Sequence, residues 1–310
     1  MSLKSNISDF EEGKINKKTL IKENYKQYHS KLFEYATLLK NTKIKNILIQ
    51  DDNIVFTMKE KGIKIIIPDR EMNSVPLNFL NFNTDYSEDF YMLKGLLKNE
   101  TIFFDIGANV GWYSIVLAKN FLNKKIYCFE PFPNAYNSLK ENILLNKCKN
   151  IILSNLGFSY QNKKSKFYYS EEKSNLKEAQ EINSIYNIKK NYITGRTLDT
   201  YCKDNNIVPD FIKCDANGEE LSVFFGGRKT VERNKPIVYL ETPDKLPKKI
   251  GYKPKDIYDF FNDLGYISFK IYNKMLEQFD KNTSKNFNTK SFFLHKNKHK
   301  NLINKYSTNN

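Results

Sequence analysis

From residue 101 onward the chain repeats one order: a short apolar run, a tight turn, then a helix-patterned segment. Residues 101–106 are apolar and stop at Gly107, and 110–119 have helical composition. Residues 125–129 form the next run, and in 135–145 the residues Ala135, Leu139 and Ile143 align at helical spacing. Residues 151–154 supply a third run, and the pattern resumes with 211–214, a helix near 219–226, and 237–240. Strands separated by helices in this way pair in parallel, with helices covering the sheet. The expected fold is therefore α/β, completed by a helix at 257–264 and strands at 266–271 and 291–295.

The remaining segments are placed around that sheet. Residues 17–40 read as one amphipathic helix with Ile21, Tyr25, Tyr28, Leu32, Tyr35 and Leu39 on one face. Residues 53–58 and 63–67 read as a hairpin turned at Lys61-Gly62, and Ser87 as the cap of a short helix. The chain is thus divided into an N-terminal accessory region (1–95), a main domain (96–299) and a solvated basic tail (300–310). Within the main domain, 158–208 reads as a polar, aromatic-rich insertion. Its Tyr168, Tyr169, Tyr186 and Tyr192 are candidate platforms for a sugar face, with ordinary strand packing the favoured reading.

Charge raises an anionic partner and then weakens it. The net charge is +15 over 310 residues, but +7 falls in 281–310 and only +6 in 101–280. Arginine occurs at four positions only, Arg70, Arg196, Arg228 and Arg233. A nucleic-acid partner is therefore not expected. A 40% hydrophobic, 14% aromatic composition supports a packed core. No apolar run approaches the ~20 residues that span a bilayer, and the first twenty residues lack a signal-peptide pattern. Cys128, Cys148, Cys202 and Cys214 form no CxxC pair and read as reduced core thiols. A cytoplasmic protein without a metal is expected, and its oligomeric state is left open.

The stretch that carries chemistry is Asp105-Ile106-Gly107-Ala108-Asn109-Val110-Gly111, at the carboxyl end of the first core strand. That is where an open α/β sheet binds cofactors. A dinucleotide fingerprint needs glycines at 107, 109 and 112, but the chain has Asn109 and Trp112, which disfavours NAD. Glu130 follows 25 residues after Asp105, at the end of the second strand. A carboxylate there can accept from both hydroxyls of a ribose. A nucleoside cofactor without a pyrophosphate, S-adenosylmethionine, fits this pattern.

These residues, with Phe129-Glu130-Pro131, Asn142 and Asn146, and Ile212-Lys213-Cys214-Asp215 followed by Gly218 and Glu220, resemble the FkbM family of methyltransferases. The resemblance covers about residues 100–245. It implies a Rossmann-like class I methyltransferase fold, a mostly parallel seven-stranded sheet, and O-methylation of a sugar or polyketide hydroxyl. It implies that Asp105, Gly107, Asn109 and Gly111 line the methionine side, that Glu130 holds the ribose, that Ala108 and Pro131 also border the cofactor, and that Asn155 and Leu156 neighbour the adenine. Asp215 is carried over beside the cofactor. One departure stands out: Asn217 occupies a position where the family usually has Glu.

Methyl transfer to an alcohol needs alignment of donor and acceptor and removal of a poorly acidic proton. The chain has only His29, His295 and His299, of which His295 alone ends a core strand. The favoured bases are Asp215 and then Glu241, with Asn217 orienting the acceptor. Lys213 reads as an electrostatic partner of Asp215. A plainer reading makes Asp215, Asn217 and Glu220 caps of the next helix. The expected function is O-methylation of a sugar, glycan or related metabolite. An RNA methyltransferase and a catalytically inactive glycan-binding protein of the same fold are the alternatives.

Overall fold

A computed structural model describes residues 2–50, 53–67, 75–83, 87–97, 101–170, 188–242, 251–280 and 289–308. The chain opens with α1 (Leu3–Glu11), α2 (Lys17–Asn24), a π-helical turn (Tyr25–His29) and α3 (Ser30–Lys40). A small antiparallel sheet follows, made of β1 (Ile44–Gln50), β2 (Asn53–Met58) and β3 (Lys64–Ile66), and then α4 (Val75–Phe82) and α5 (Ser87–Leu96). The α/β alternation runs through β4 (Ile102–Ile106), α6 (Trp112–Asn120), β5 (Lys125–Phe129), α7 (Pro133–Leu145) and β6 (Ile151–Ser154). A second small sheet comprises β7 (Gly157–Phe158), β8 (Lys163–Ser170) and β9 (Ile188–Arg196). The chain then returns through α8 (Leu198–Asn205), β10 (Phe211–Cys214), α9 (Glu220–Gly226), α10 (Arg228–Asn234) and β11 (Ile237–Thr242). It ends with α11 (Pro254–Asp263), β12 (Tyr266–Tyr272), β13 (Met275–Gln278), β14 (Thr289–His295) and α12 (Lys300–Tyr306).

The main sheet has the order β13-β12-β14-β11-β10-β4-β5-β6. Strands β6, β5, β4, β10 and β11 pair in parallel, and β14 inserts antiparallel between β11 and β12. This is the Rossmann-like class I methyltransferase arrangement, with eight strands among the described residues rather than seven. The extra strand is β13, which doubles back on β12 through Asn273-Lys274, both in the left-handed region. Buried side chains form a layer on each face: Leu93, Ile115, Leu117 and Leu139 on one, Leu198, Leu221, Val231 and Phe261 on the other. Burying both faces explains why β10 reads as an unbroken apolar run around Lys213.

Asn142 and Asn146, one helical turn apart on α7, tie the N-terminal sheet to the main one. Asn142 accepts from the Ile66 amide at 2.7 Å and donates to the Ile66 carbonyl at 2.9 Å. Asn146 does the same for Lys64, at 2.9 and 2.6 Å. Two side-chain amides thus pair with β3 as a neighbouring strand would. Asn142 also donates to the Val110 carbonyl at 2.9 Å, which links this seam to the turn after β4.

Four sequence expectations are corrected. The 17–40 segment is helical, but Ile21, Tyr25, Leu32 and Tyr35 face solvent. Ile21 lies before the π-turn and α3 beyond it has no buried residue, so most of this apolar stripe stands uncovered among the described residues. The insertion at 158–208 is too long, because α8 belongs to the helical layer: Leu198, Tyr201 and Cys202 are buried against the sheet. Residues 300–306 are helix rather than solvated tail. Tyr306 is buried, its hydroxyl donating to the Gly95 carbonyl, and Leu302 and Ile303 pack beside it. His295 is buried and lies opposite the start of β11, since β14 runs antiparallel and pairs Phe293 with Val238. It stands at the far end of the sheet from the turn after β4 and cannot act there as a base. Tyr186 lies outside the described residues.

Candidate cofactor and acceptor site

The turn after β4 is shaped by three residues in the left-handed region, Gly107 (φ 71°), Asn109 (φ 49°) and Gly111 (φ 89°). Gly107 and Ala108 amides both donate to the Phe129 carbonyl, at 2.9 and 3.1 Å. A Cβ on Gly107 would lie 1.9 Å from the Asp215 carbonyl oxygen, and one on Gly111 would lie 2.3 Å from Leu139. The turns after β4 and β10 therefore touch backbone to backbone, which only glycine allows.

Two buried carboxylates fix that turn from below and from the side. Asp105 is fully enclosed, accepts from the Ser114 hydroxyl at 2.6 Å and pairs with the Lys213 ammonium at 2.9 Å. The pairing follows from register, since Lys213 lies opposite Asp105 on adjacent parallel strands. Lys213 also donates to the Gly107 carbonyl at 2.9 Å. Burial opposes its charge, but Asp105 and then Asp215 overcome this and hold the ammonium above its ordinary range. Two expectations are corrected here. Lys213 acts electrostatically on Asp215 as expected but makes its direct contact with Asp105, and Asp105 supports the turn from within rather than lining a ligand surface.

Glu130 closes the other side. Its carboxylate accepts from the Asn109 amide at 2.8 Å and from the Phe132 amide at 2.9 Å. Burial raises it to about 7, with the two amides opposing. Asn155, on the surface beyond β6, donates to the Glu130 and Pro131 carbonyls at 2.8 and 3.2 Å and so braces this loop. Leu156 follows it and is half-buried against the lower apolar layer.

The turn after β10 is built differently. Asn217 (φ 53°) and Gly218 (φ 101°) are both left-handed, and Asn217 points to solvent. The turn is closed by Glu220, whose carboxylate reaches back to the Ala216 and Gly218 amides at 2.8 and 3.1 Å. Glu220, not Asn217, is the residue that ties up the start of α9, because Asn217 makes no capping bond. Burial raises Glu220 to about 7, and its second oxygen has no partner among the described residues. Asp215 is half-buried, and neither it nor Glu241, at the end of β11, makes a side-chain hydrogen bond among the described residues. The Glu241 carboxyl is raised, first by the protein mass around it and then by Asp215.

Beside these two carboxylates stands a cluster that the sequence does not announce. Tyr113, at the start of α6, donates to Asp89 on α5 at 3.1 Å, and its hydroxyl lies 3.3 Å from that of Tyr239 on β11. Lys290, paired across the sheet with Glu241, reaches Asp89 at 2.9 Å and Tyr113 at 3.3 Å. Burial first, and Asp89 second, pushes the Tyr113 hydroxyl well above its ordinary value. Two helices and two neighbouring strands bring these four residues together, so no local spacing reveals them. Among the described residues no group of three or more His, Cys, Asp or Glu side chains is gathered as a metal site requires.

Comparison with known proteins now decides the family. The family model described as the methyltransferase FkbM domain matches residues 105–268, more than half the chain. The chain belongs to the FkbM family. With that membership comes S-adenosylmethionine as the cofactor. A tRNA(Phe) (4-demethylwyosine(37)-C(7)) aminocarboxypropyltransferase from Methanocaldococcus jannaschii is 28% identical over 129 residues, 38% of this chain and 51% of its own length. A tRNA (guanine(37)-N(1))-methyltransferase from Plasmodium knowlesi is 33% identical over 114 residues, 36% of this chain and 14% of its own. The chain thus spans about half of one curated relative and a small part of the other. A crystal structure of an FkbM methyltransferase from Methylobacillus flagellatus superimposes with a TM-score of 0.43 at 16% identity, covering 71% of this chain and 54% of that one.

The residues of this FkbM site fit a nucleoside sulfonium on two observations. The left-handed turn of Gly107, Asn109 and Gly111 closes the carboxyl end of β4, and Glu130 holds a buried carboxylate beside it. Both Glu130 oxygens keep a second lone pair beyond the amides they already accept. The four cysteines are free and buried, as expected of core thiols. No helix among the described residues is long and apolar enough to cross a membrane.

Proposed function

We propose that this protein is an O-methyltransferase acting on a hydroxyl of a sugar, glycan or related metabolite. S-adenosylmethionine supplies an electrophilic methyl group on a leaving group that departs neutral, so no general acid is required. Gly107, Ala108, Asn109 and Gly111 give it a backbone cradle, Glu130 and Pro131 hold its ribose, and Asn155 and Leu156 flank its base. Asp105 acts through Lys213, fixing the height of the Gly107 carbonyl.

The observation that carries the reading is the pair of uncommitted carboxylates, Asp215 and Glu241, at adjacent strand ends and beside the cradle. Asp215 is assigned the acceptor proton, with Glu241, its carboxyl already raised, as the second acceptor. Asn217, exposed at the same turn, orients the acceptor without taking its proton. Lys213 stays charged and serves as a fixed cation.

A second reading, transfer to RNA, is favoured by the two relatives named as tRNA enzymes and by the +15 charge. One experiment separates the readings. Methyl-labelled cofactor is incubated with the protein and with glycan, small-metabolite and tRNA pools. Label is expected in a glycan or metabolite, falling about 100- to 10,000-fold in Asp215→Asn with cofactor affinity unchanged. Label in tRNA, suppressed by moderate salt, would replace this reading with the RNA one. Tight cofactor binding without transfer to any pool would instead leave a binding protein.

A further inference from the structure

Where the N-terminal region packs on α6, the structure forms an open cavity of about 520 Å³ apart from the proposed reaction site. Its wall is apolar, built from Met58, Ile63, Phe79, Phe90, Trp112 and Val116. Its mouth is not: Lys43, Lys59, Lys94 and Lys274 surround it against the single acid Glu60. The cations are positioned rather than loose. Lys59 donates to the Lys40 carbonyl at the end of α3 at 3.2 Å and to that of Thr42 just beyond at 2.6 Å, Lys94 pairs with Glu60 at 3.5 Å, and Lys274 sits over the Tyr91 ring at 5.5 Å.

The size falls within the range of small-molecule sites, about 300–1,000 Å³, and the lining has their usual character, an apolar body with a few placed polar groups. Ammonium groups around an apolar hole favour a ligand that is itself divided. The indole N–H of Trp112 adds a third observation, being buried without an acceptor among the described residues. We propose that this cavity binds an amphipathic anion, an apolar chain or ring seated against Trp112 with a phosphate or carboxylate head at the lysine mouth. The site is separate from the cradle, although Trp112 directly follows Gly111.

Trp112 is the only tryptophan of the chain, so its emission reports this cavity. The full chain is titrated with dodecyl phosphate, dodecanoate, dodecyltrimethylammonium and inorganic phosphate, each amphiphile below its micelle concentration. Saturable one-to-one binding of either anion is expected, at least about tenfold tighter than the cationic analogue, with no response to inorganic phosphate. The tighter anion names the head group. Lys43→Glu with Lys274→Glu is expected to weaken the anion about tenfold or more while S-adenosylhomocysteine affinity, measured by calorimetry, stays unchanged. Equal affinity for the cation, a response to inorganic phosphate alone, an unchanged affinity in the double variant, or no saturable change would each overturn the proposal. The calorimetric arm also shows whether the variant is folded.

Discussion

Along the carboxyl edge of the sheet, the turn after β4 is held at Gly107, Ala108, Asn109 and Val110 by Lys213, Phe129, Glu130 and Asn142. The turn after β10 is closed by Glu220, which takes the Ala216 and Gly218 amides, and by the Tyr252 hydroxyl, which donates to the Gly218 carbonyl, and it leaves Asp215 and Asn217 free of side-chain hydrogen bonds among the described residues. The first arrangement suits a cofactor of one fixed shape, because a cradle already rigid loses little entropy on binding. The second keeps carboxylates available for a proton and leaves acceptor shape to be set by what lies around them. Rigidity and reactivity are thus placed on neighbouring strands, and Gly107 against Asp215 is where they meet.

The contact between the two turns is the place to break this contrast. Gly107→Ala puts a methyl 1.9 Å from the Asp215 carbonyl in a left-handed conformation that alanine disfavours. The expected loss is about 3 kcal/mol or more, and cofactor binding should disappear in calorimetry. A variant that keeps both its melting temperature and its cofactor affinity would show that the two turns move apart freely, and the rigid cradle would have to be given up.

Glu130 tests the same half through its proton. With its carboxyl raised to about 7 from 4.5, the native state holds a proton that the unfolded chain has released. The sign is fixed by linkage: the stability contributed by Glu130, and likewise by Glu220, falls as pH rises from about 4.5 to about 7. Cofactor affinity should run the other way, rising through that window as the carboxylate becomes a full acceptor. Glu130→Gln removes the titration and turns an amide N–H toward a backbone donor, costing about 1–3 kcal/mol of affinity. Calorimetric titrations at several pH values should show a slope in the native protein and a flat line in the variant. A slope that survives in Glu130→Gln would assign the proton to another group.

What the sequence revealed divides along similar lines. The turn after β4 is legible because it is local: glycine spacing, the strand before it and Glu130 after the next strand lie within one stretch of chain. The Asp105–Lys213 pair was not, since it depends on β10 lying beside β4 across more than a hundred intervening residues. The Asp89–Tyr113–Tyr239–Lys290 cluster was hidden for the same reason, its members coming from four separate elements. The π-turn and α12 were missed for a different cause. Residues 25–29 have the composition of ordinary helix, and in 300–306 the apolar residues are masked by lysine and asparagine. Where non-local pairing decides position, residue type alone cannot report it.

The smallest expected effect is the one that separates conformation from chemistry at Asn217. Its φ of 53° lies where asparagine is tolerated better than most residues and glycine better still. If backbone shape is its whole contribution, Asn217→Gly should leave the melting temperature within about 2 °C and keep both cofactor affinity and turnover. The proposed orienting role predicts something else: turnover falling about tenfold, KM for the acceptor rising, and cofactor affinity unmoved. Asn217→Glu sharpens the distinction, because a carboxylate would restore an acceptor for the proton while straining the turn by up to about 1–2 kcal/mol. Turnover equal to the native protein in both variants would remove Asn217 from the acceptor half and leave Asp215 and Glu241 to carry it alone.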